Sequence, residues 1–356
     1  MNEDDWYGGP SYDYPEPDPP LPDLPAQPGV RGKGSFGEER VRGVSGLVAG
    51  RFLPPHRGHK LVIDFARDSV EFLNILIASK PSDPFSYRER EAWLRARYDD
   101  DKIHIAEIPS EFERETQAIR DKLRNWVSPA YVFASDGAHR KLAQELGAKY
   151  VPVDPQRGII PTSGTSIRRN TLEHFGQIVE PVRASLAKRV AIVGAESTGK
   201  TTLALRLREE FRASYVPEYT RTYTASGLPY DSEAIQLLAR SQIAAEDALV
   251  KQCASGILLC DTDLQAVLLW SRRMFEGEPP SWIASAARER PYDLYLLCSP
   301  DIPFVGRPDM DRPRERAAMH DEYLAYLQGK PHVILSGSRE ERYVAAADAV
   351  ISLFAK

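Results

Sequence analysis

Short apolar runs alternate, through the first half of the chain, with stretches that carry an apolar residue every three or four positions. The runs predict strands, at 44–49, 72–78, 102–106, 130–134 and 150–153. The stretches between them predict helices, at 59–70, 87–98, 113–127 and 137–146. Strands that are apolar throughout and alternate with helices are typical of a parallel sheet covered on both faces. We therefore expect a Rossmann-like α/β domain at 41–180.

The same pattern restarts after a short basic segment at 181–189, which we interpret as a helical linker. Strands are predicted at 190–193, 257–260, 294–298 and 333–335, and helices at 201–211 and 339–354. These elements predict a second α/β domain with a parallel sheet at 190–356. The two halves share an architecture, and no sequence repeat relates them.

Residues 1–40 differ from the rest of the chain, because they are rich in Pro and Asp and poor in aliphatic side chains. Such a segment buries too little apolar surface to offset the entropy lost on ordering. We expect a disordered tail with polyproline character. A Pro-rich docking peptide is the alternative.

Composition narrows the class of protein. The formal net charge of the 356 residues is −5, which argues against a general nucleic-acid-binding surface. The three cysteines (Cys253, Cys260 and Cys298) form no CxxC pair, so we expect reduced, buried thiols. No apolar run is long enough to span a membrane, and the N-terminus lacks the order of a signal peptide. We expect a cytoplasmic protein that binds neither nucleic acid nor membrane.

The segment GRFLPPHRGH at 50–59 lies between a predicted strand and a predicted helix. Open α/β sheets bind ligands at this edge, beyond the carboxyl ends of the strands. Gly50 lets the backbone approach a phosphate, and His59 opens the helix, whose free N–H groups favour an anion. His56 and His59 can both direct ring N–H groups at a triphosphate. The ligands predicted here are Gly50, Arg51, Phe52, His56, Gly58 and His59.

A second segment, TSGTSIR at 162–168, begins another predicted helix. Its hydroxyl residues are good helix caps, which is the alternative explanation. The spacing S-x-T-x-x-R partners HxGH in one superfamily, and the pair resembles the HxGH nucleotidyltransferases. The resemblance implies that Ser163, Thr165, Ser166 and Arg168 hold the ATP phosphates. An acceptor phosphate is already ionised at neutral pH, so positioning and charge stabilisation by His56, His59, Arg51 and Arg168, with Mg²⁺, suffice.

The segment GAESTGKT at 194–201 fits the P-loop pattern and lies between a strand and a helix. Backbone N–H groups of such a loop surround phosphates, Lys200 bridges the β- and γ-phosphates, and Thr201 binds Mg²⁺. The ATP ligands predicted for this domain are Gly194, Ser197, Thr198, Gly199, Lys200, Thr201 and Thr202.

An alcohol acceptor must lose a proton, so the second site needs carboxylates. Asp261, at a strand end, is in the Walker B position and is predicted to hold Mg²⁺ together with Thr201. Asp263 or Glu218 is predicted to orient or deprotonate the acceptor, although each carboxylate alone could be a surface charge. In the Arg- and Pro-rich loop after 294–298, Arg307 and Arg312 are candidates for a lid that closes over the phosphates.

The order of the two motifs resembles the NadR-type bifunctional proteins of NAD salvage. The matching stretches are GRFLPPHRGH, R-x-x-W-L at 90–94, VDPQRG before TSGTSIRRN, GAESTGKTTL, E-Y-x-R at 218–221, DTD at 261–263 and DLYLLCSPDIPF at 293–304. The resemblance implies that the second domain phosphorylates nicotinamide riboside with ATP. The first domain then transfers an adenylyl group from ATP to nicotinamide mononucleotide, giving NAD and pyrophosphate.

The same resemblance implies further ligands. Trp93 or Trp126 packs against the nicotinamide ring, with a place in the core as the alternative for each. Glu218, Tyr219 and Arg221 face the riboside. Two departures from the family pattern stand out, namely Thr162 in place of an apolar residue and an altered lid at 306–316.

Three other readings stay open from the sequence. Both enzymes could act on other nucleotide and nucleoside acceptors, or one domain could be a nucleotide sensor without turnover. A DNA-binding regulator is disfavoured, because the Pro- and Asp-rich segment stands where enteric members carry a helix-turn-helix domain. The amide or acid form of the acceptor and a homo-oligomeric state are left open.

Overall fold

The computed structural model describes residues 41–110, 112–124, 126–229, 231–275, 279–304 and 313–355. The predicted tail at 1–40 lies outside these residues. So do the two lid candidates, Arg307 and Arg312.

The first half of the chain forms a five-stranded sheet in the order β3-β2-β1-β4-β5, with every neighbouring pair parallel. The strands are β1 (Val41–Gly50), β2 (Val70–Ser79), β3 (Ile103–Pro109), β4 (Pro129–Ala134) and β5 (Lys149–Pro152). Each predicted strand is present, which confirms the Rossmann-like interpretation. The strand order reverses its direction at β1. The carboxyl ends of β1 and β4 therefore flank a topological switch point, where open α/β sheets bind ligands.

Four helices cover this sheet: α1 (Arg57–Ser69), α2 (Tyr87–Arg95), α3 (Phe112–Leu123) and α4 (His139–Leu146). The predicted helix ends were wrong by a few residues. Helix α1 begins at Arg57, because the His56 side chain caps it, and Val70 already belongs to β2. Helices α2 and α3 end earlier than the apolar spacing indicated.

The apolar strand residues are buried on both faces of this sheet. Ile75 and Ile77 pack under α1 and α2 in one cluster. Leu47, Leu76 and Val132 pack under α3 and α4 in another. Burial on both faces explains why these strands read as continuous apolar runs.

Between the sheets the chain forms α5 (Gly164–Arg169), α6 (Thr171–His174), a 3₁₀ turn (Phe175–Gln177) and α7 (Glu180–Leu186). The predicted helical linker is therefore shorter than 181–189. Lys188 and Arg189 are the first residues of β6.

The second half forms another parallel sheet, in the order β10-β9-β6-β8-β7. Its strands are β6 (Lys188–Val193), β7 (Ser214–Val216), β8 (Ile257–Asp261), β9 (Leu294–Cys298) and β10 (His332–Leu335). Its helices are α8 (Lys200–Phe211), α9 (Tyr219–Ala225), α10 (Ser232–Gln252), α11 (Leu264–Met274), α12 (Ser281–Glu289), α13 (Pro313–Tyr326) and α14 (Arg339–Ser352). The predicted strands and the two predicted helices are confirmed, whereas β7 and α9 to α13 were not predicted.

Both sheets belong to one compact unit that spans residues 40–356. Helix α7 packs against α2 of the first half and α10 of the second. Phe175 is fully buried, and a Cβ added to Gly256 would lie 2.7 Å from its ring. The junction is therefore a packed part of the fold.

The described helices include none whose length and apolar character would allow it to cross a lipid bilayer. All three cysteines are buried and unpaired, as predicted.

Two candidate nucleotide sites

The first candidate site is a cleft of about 720 Å³ at the carboxyl edge of the first sheet. The predicted residues that line it are Gly50, Arg51, Phe52, His56, Gly58, His59, Ser163, Thr165 and Arg168. The structure thus brings the two sequence segments, more than a hundred residues apart, to one place. Ser166 is close by but is not among the lining residues.

The histidines of the HxGH segment hold each other in place at the start of α1. The Gly58 N–H donates to Nδ1 of His56 at 3.2 Å, and the His56 N–H donates to Nδ1 of His59 at 3.3 Å. The rings stack with their centroids 3.8 Å apart. Since each Nδ1 accepts a hydrogen bond, the neutral rings carry their proton on Nε2. We predicted that His59 opens the helix. It lies instead within the first turn, because His56 is the cap.

Both imidazoles are neutral at physiological pH. Burial, followed by the charge of Arg157, lowers the pKa of His56 to about 4. Burial also lowers the pKa of His59 well below its usual value, with smaller contributions from His56 and Arg157. The rings therefore present N–H donors rather than fixed positive charges.

Two glycines permit the close approaches that shape this cleft. A Cβ on Gly58 would lie 3.1 Å from the His56 ring, which folds back over this residue. A Cβ on Gly164 would lie 2.8 Å from the Leu53 carbonyl oxygen, so α5 could not meet the HxGH loop with a larger residue there. Packing thus requires glycine at 164, whereas a larger residue at 58 would need the His56 ring to shift by a few tenths of an ångström.

Arg168 joins the two segments. Its guanidinium donates to the Leu53 carbonyl oxygen and, at 3.3 Å, to the Thr165 hydroxyl. Ser163 caps α5, and its hydroxyl lies 2.9 Å from that of Ser166 in a reciprocal capping box. The capping explanation and the ligand prediction for these serines are therefore compatible.

The Arg51 side chain is held at the mouth of the cleft by an ion pair with Asp83. The same carboxylate forms an ion pair with Arg90, whose Nη2 lies 3.2 Å from Asp83 Oδ2, and Arg90 is fully buried. Arg90 also donates to the carbonyl oxygens of Arg51, at 2.6 Å, and Ala78, at 3.0 Å. The arginine of the R-x-x-W-L stretch thus fixes the ends of β1 and β2.

Neither candidate indole is among the side chains that line this cleft. Trp93 packs in the cluster with Phe175, and its Nε1 donates to the Ser185 hydroxyl at 3.0 Å. Trp126 stacks on His104 with ring centroids 5.1 Å apart. The core alternative is the one that this geometry favours for both.

Sequence reasoning gave no role to several side chains that line the first cleft, among them Arg157, His139 and Thr162. Arg157, at φ +54°, stands in the VDPQRG stretch that had been quoted without a role. His139 lies 2.8 Å from the Asp136 carboxylate and 3.1 Å from the Ala49 carbonyl oxygen. This histidine joins α4 to the end of β1, and no motif spacing marked it. The buried Thr162 hydroxyl finds no hydrogen-bond partner among the described residues.

The second candidate site is a cleft of about 500 Å³ at the P-loop. Its lining includes Ser197, Thr198, Gly199, Lys200, Thr201, Thr202 and Arg221. Gly194 lies at the base of the loop with φ +139°, where a Cβ would be 2.6 Å from the Cys298 carbonyl oxygen. Gly199, at φ +84°, ends the loop and starts α8. These two positions require glycine.

The P-loop is held by side chains within and beyond it. Lys200 donates from Nζ to the Ala195 carbonyl oxygen at 2.7 Å, and the Thr198 hydroxyl donates to the same oxygen at 2.8 Å. The buried Arg342 of α14 donates to the carbonyl oxygens of Thr198, at 3.0 Å, and Ser299, at 3.1 Å. The sequence offered no signal for Arg342, which reaches the loop from the other end of the domain.

Asp261, at the end of β8, is only 1% exposed and contacts two hydroxyl groups. Its Oδ2 accepts from the Thr201 hydroxyl at 2.7 Å and from the Tyr215 hydroxyl at 3.0 Å. Burial and the negative charge of Asp261 raise the pKa of Tyr215, so the phenol remains a donor. The predicted pairing of Thr201 and Asp261 is therefore present, and Tyr215 was missed.

Asp263 lies outside the residues that line this cleft. Its carboxylate caps α11 by accepting from Ala266 N at 3.1 Å and accepts from the Tyr323 hydroxyl of α13 at 3.3 Å. Burial raises its pKa to about 7. The side chain is thus enclosed between two helices and is not among the residues that line the cleft, so this geometry does not favour its predicted role in orienting an acceptor.

The segment E-Y-x-R divides between surface and core. Glu218 and Arg221 form an ion pair of 2.9 Å, and Arg221 lines the cleft. Tyr219 packs, partly buried, against the second core of this domain. Arg206 of α8 and Tyr343 of α14 also line the cleft, with the guanidinium 3.5 Å from the ring centroid.

Comparison with known proteins follows this division. A family described as an AAA domain matches residues 189–342. The trifunctional NAD biosynthesis/regulator protein NadR of Salmonella typhimurium is 26% identical over 288 residues, covering 73% of this chain and 70% of that protein. The protein of the same description from Escherichia coli is 26% identical over 294 residues, covering 75% and 72%.

Solved structures share the fold. A crystal structure of NadR in complex with NR has a TM-score of 0.66 at 21% identity, and the match covers 89% of this chain and 98% of that one. A NadR structure with NAD and AMP-PNP has a TM-score of 0.62 at 21% identity, covering 88% and 96%. The resemblance to NadR-type proteins that the motifs indicated is therefore confirmed, and so is the predicted order of two parallel-sheet α/β folds.

Proposed function

We propose that the chain is a bifunctional enzyme of NAD salvage. In its second half, ATP phosphorylates nicotinamide riboside to nicotinamide mononucleotide. In its first half, a second ATP gives its adenylyl group to that mononucleotide, forming NAD and pyrophosphate. The observation that carries the proposal is that each half has its own cleft, lined by most of the residues predicted to bind phosphate. The NadR relatives, whose descriptions name NAD biosynthesis, NR and NAD, support the choice of acceptor.

Adenylyl transfer follows from the groups at the first cleft. His56 and His59 donate from Nε2 to phosphate oxygens, and Arg168, fixed by Leu53 and Thr165, adds a positive charge. An oxygen of the acceptor phosphate attacks the α-phosphorus, the bond to the β-phosphate oxygen breaks, and pyrophosphate leaves. The acceptor arrives ionised, so positioned donors are sufficient. Arg157, whose charge already reaches both histidines, is proposed as a further phosphate ligand.

Riboside phosphorylation has a different requirement. The 5′-hydroxyl oxygen attacks the γ-phosphorus and loses its proton, while the bond from this phosphorus to the β–γ bridging oxygen breaks and ADP leaves. The P-loop N–H groups and Lys200 hold the phosphates. Glu218 is proposed to accept the proton, because it is paired with Arg221, which lines the cleft, whereas Asp263 is enclosed between α11 and α13. Tyr219 is proposed to support this segment from the core.

The residues of the second cleft fit a magnesium ion. Asp261 leaves Oδ1 buried without a hydrogen-bond partner among the described residues, next to the Thr201 hydroxyl. Mg²⁺ is commonly held by few protein groups, with substrate phosphates and water completing its shell. Thr201 and Asp261 would hold the ion, which would neutralise charge between the β- and γ-phosphates.

The domain limits are proposed from the same geometry. The transferase unit extends from β1 through α7, because residues of the junction pack on α2, and His56 forms a bridge with Ile178. The kinase unit begins with β6 at Lys188. Small molecules are the proposed partners, namely ATP, nicotinamide riboside, nicotinamide mononucleotide and NAD.

The proposal is tested by incubating the protein with nicotinamide riboside, ATP and Mg²⁺ and identifying products by mass. We expect nicotinamide mononucleotide to appear first, followed by NAD and pyrophosphate. Parallel reactions with the acid riboside and with other nucleosides determine acceptor preference. A protein that consumes ATP with another nucleoside and gives no NAD would show that the acceptor assignment is wrong.

A further inference from the structure

Tyr215 contacts the Walker B carboxylate although no motif includes it. It lies in β7, opposite Leu259 of β8 and thus two residues before Asp261 in register. Its hydroxyl donates to Asp261 Oδ2 at 3.0 Å. Its ring packs against the buried cluster under β8, with the Arg208 guanidinium 5.8 Å from the ring centroid. The fold therefore fixes the position of the hydroxyl.

The contact determines how the Asp261 carboxylate is oriented. The hydroxyl of Thr201, in helix α8, donates to the same oxygen at 2.7 Å. Two donors on Oδ2 resist rotation of the carboxylate and leave Oδ1, buried and without a partner among the described residues, as its free acceptor. If the Tyr215 hydroxyl were removed, Thr201 would be the remaining one of these two donors, and the carboxylate would be held less firmly.

We propose that Tyr215 is a positioning residue of the kinase site, whose hydroxyl holds Asp261 in the orientation that receives the metal–nucleotide complex. It does so without touching the substrate. This inference rests on the proposed kinase function. Hydrogen-bond partners one shell beyond a metal commonly change metal affinity about 10- to 100-fold when they are removed.

The test is Tyr215→Phe, which keeps the packed ring and removes the hydroxyl. ADP binding is measured by titration calorimetry with Mg²⁺ and with EDTA, and binding that survives in Lys200→Ala is assigned to the first cleft. We expect the Mg²⁺-dependent gain in ADP affinity to fall at least about tenfold in Tyr215→Phe. Affinity in EDTA should stay as in the unaltered protein, because the P-loop is unchanged.

Tyr98→Phe is the matched control. The Tyr98 hydroxyl also donates to a carboxylate, Asp64, at 3.0 Å, and the side chain is buried in the first half. This variant should keep the full effect of Mg²⁺. A second variant places 4-aminophenylalanine at 215, which restores a donor beyond the ring and should recover most of the gain.

Three results would overturn the inference. One is a full Mg²⁺ effect in Tyr215→Phe, and another is an equal loss of affinity with and without Mg²⁺, which would indicate a packing role. The third is a 4-aminophenylalanine protein that melts like the unaltered one yet lacks the Mg²⁺ effect. If the unaltered protein binds ADP at the P-loop without any Mg²⁺ effect and fails to phosphorylate the riboside, the kinase proposal falls as well.

Discussion

The two clefts are built from different groups around what we propose is the same ligand, ATP. At the first, neutral imidazoles and arginines face the cavity, and the buried Asp83 carboxylate is paired with Arg51 and Arg90. At the second, the buried Asp261 carboxylate contacts hydroxyl groups. This difference fits the proposed acceptors, since an ionised phosphate needs only positioned donors, whereas an alcohol also needs a group that accepts its proton.

The strongest test of this comparison is Lys200→Ala. The loss of the lysine removes a positive charge from the phosphates of the second cleft, and we expect riboside phosphorylation to fall about 1,000-fold. Conversion of supplied mononucleotide to NAD should be unchanged, since the first cleft has its own ligands. Rates of both steps are measured on one preparation, so the retained reaction reports correct folding.

His59→Ala should produce the reverse result. Removing an Nε2 donor is expected to lower conversion of mononucleotide to NAD by about 100-fold. Riboside phosphorylation should continue, so mononucleotide accumulates. The assignment of one reaction to each cleft is wrong if both variants slow the same reaction, or if either variant slows both reactions equally.

The neutral histidines predict a pH dependence of stability. The folded pKa of His56, about 4, lies below its usual value, so the unfolded chain binds the extra proton as the pH falls from about 6.5 toward 4. Its contribution to the free energy of unfolding therefore falls across this window, by up to about 1.4 kcal/mol per pH unit. Urea unfolding at pH 7, 6 and 5 measures this loss.

His56→Asn is the control for that slope, because Asn can still cap α1 but does not titrate. The variant should lose less stability between pH 7 and 5 than the unaltered protein does. If the free energy of unfolding changes equally with pH in the two proteins, folding does not lower the pKa of His56.

The smallest expected effect on catalysis is that of Asp263→Asn. The carboxylate is enclosed between α11 and α13, so kinase activity should change less than about threefold, whereas loss of a general base costs about 100-fold or more. Its pKa, raised to about 7, means that the folded chain binds more protons between about pH 4 and 7. Stability should therefore fall with rising pH in this window, and the Asn variant should lack that decline. A large loss of phosphorylation would return Asp263 to the catalytic site.

The strands and motifs could be predicted because their signals are local. Buried parallel strands such as β9 are continuous apolar runs, and the P-loop and HxGH segments fix their own backbone. Helix α10 was missed although it has 21 residues. Gln242 and Glu246 stand one turn apart on its buried face, where Arg290 and Tyr292 contact Glu246, and they interrupt the apolar stripe.

The residues of the site that were missed reach it through tertiary folding. Tyr215 comes from a three-residue edge strand, Arg342 from α14 and Arg157 from a loop after β5. None stands at a spacing that a motif defines. Asp263 shows the converse, because it stands close to Asp261 in the sequence while its side chain caps α11.

The packed junction between the two sheets links the two halves of the chain. Phe175 fills the space left by Gly256, and α7 is shared between the two halves, so a cut at this point would expose apolar surface on each piece. Each molecule thus carries one copy of each cleft, and we expect neither half to be stable when expressed alone. On the proposed function, the capacity to make the mononucleotide and the capacity to use it would therefore be coupled.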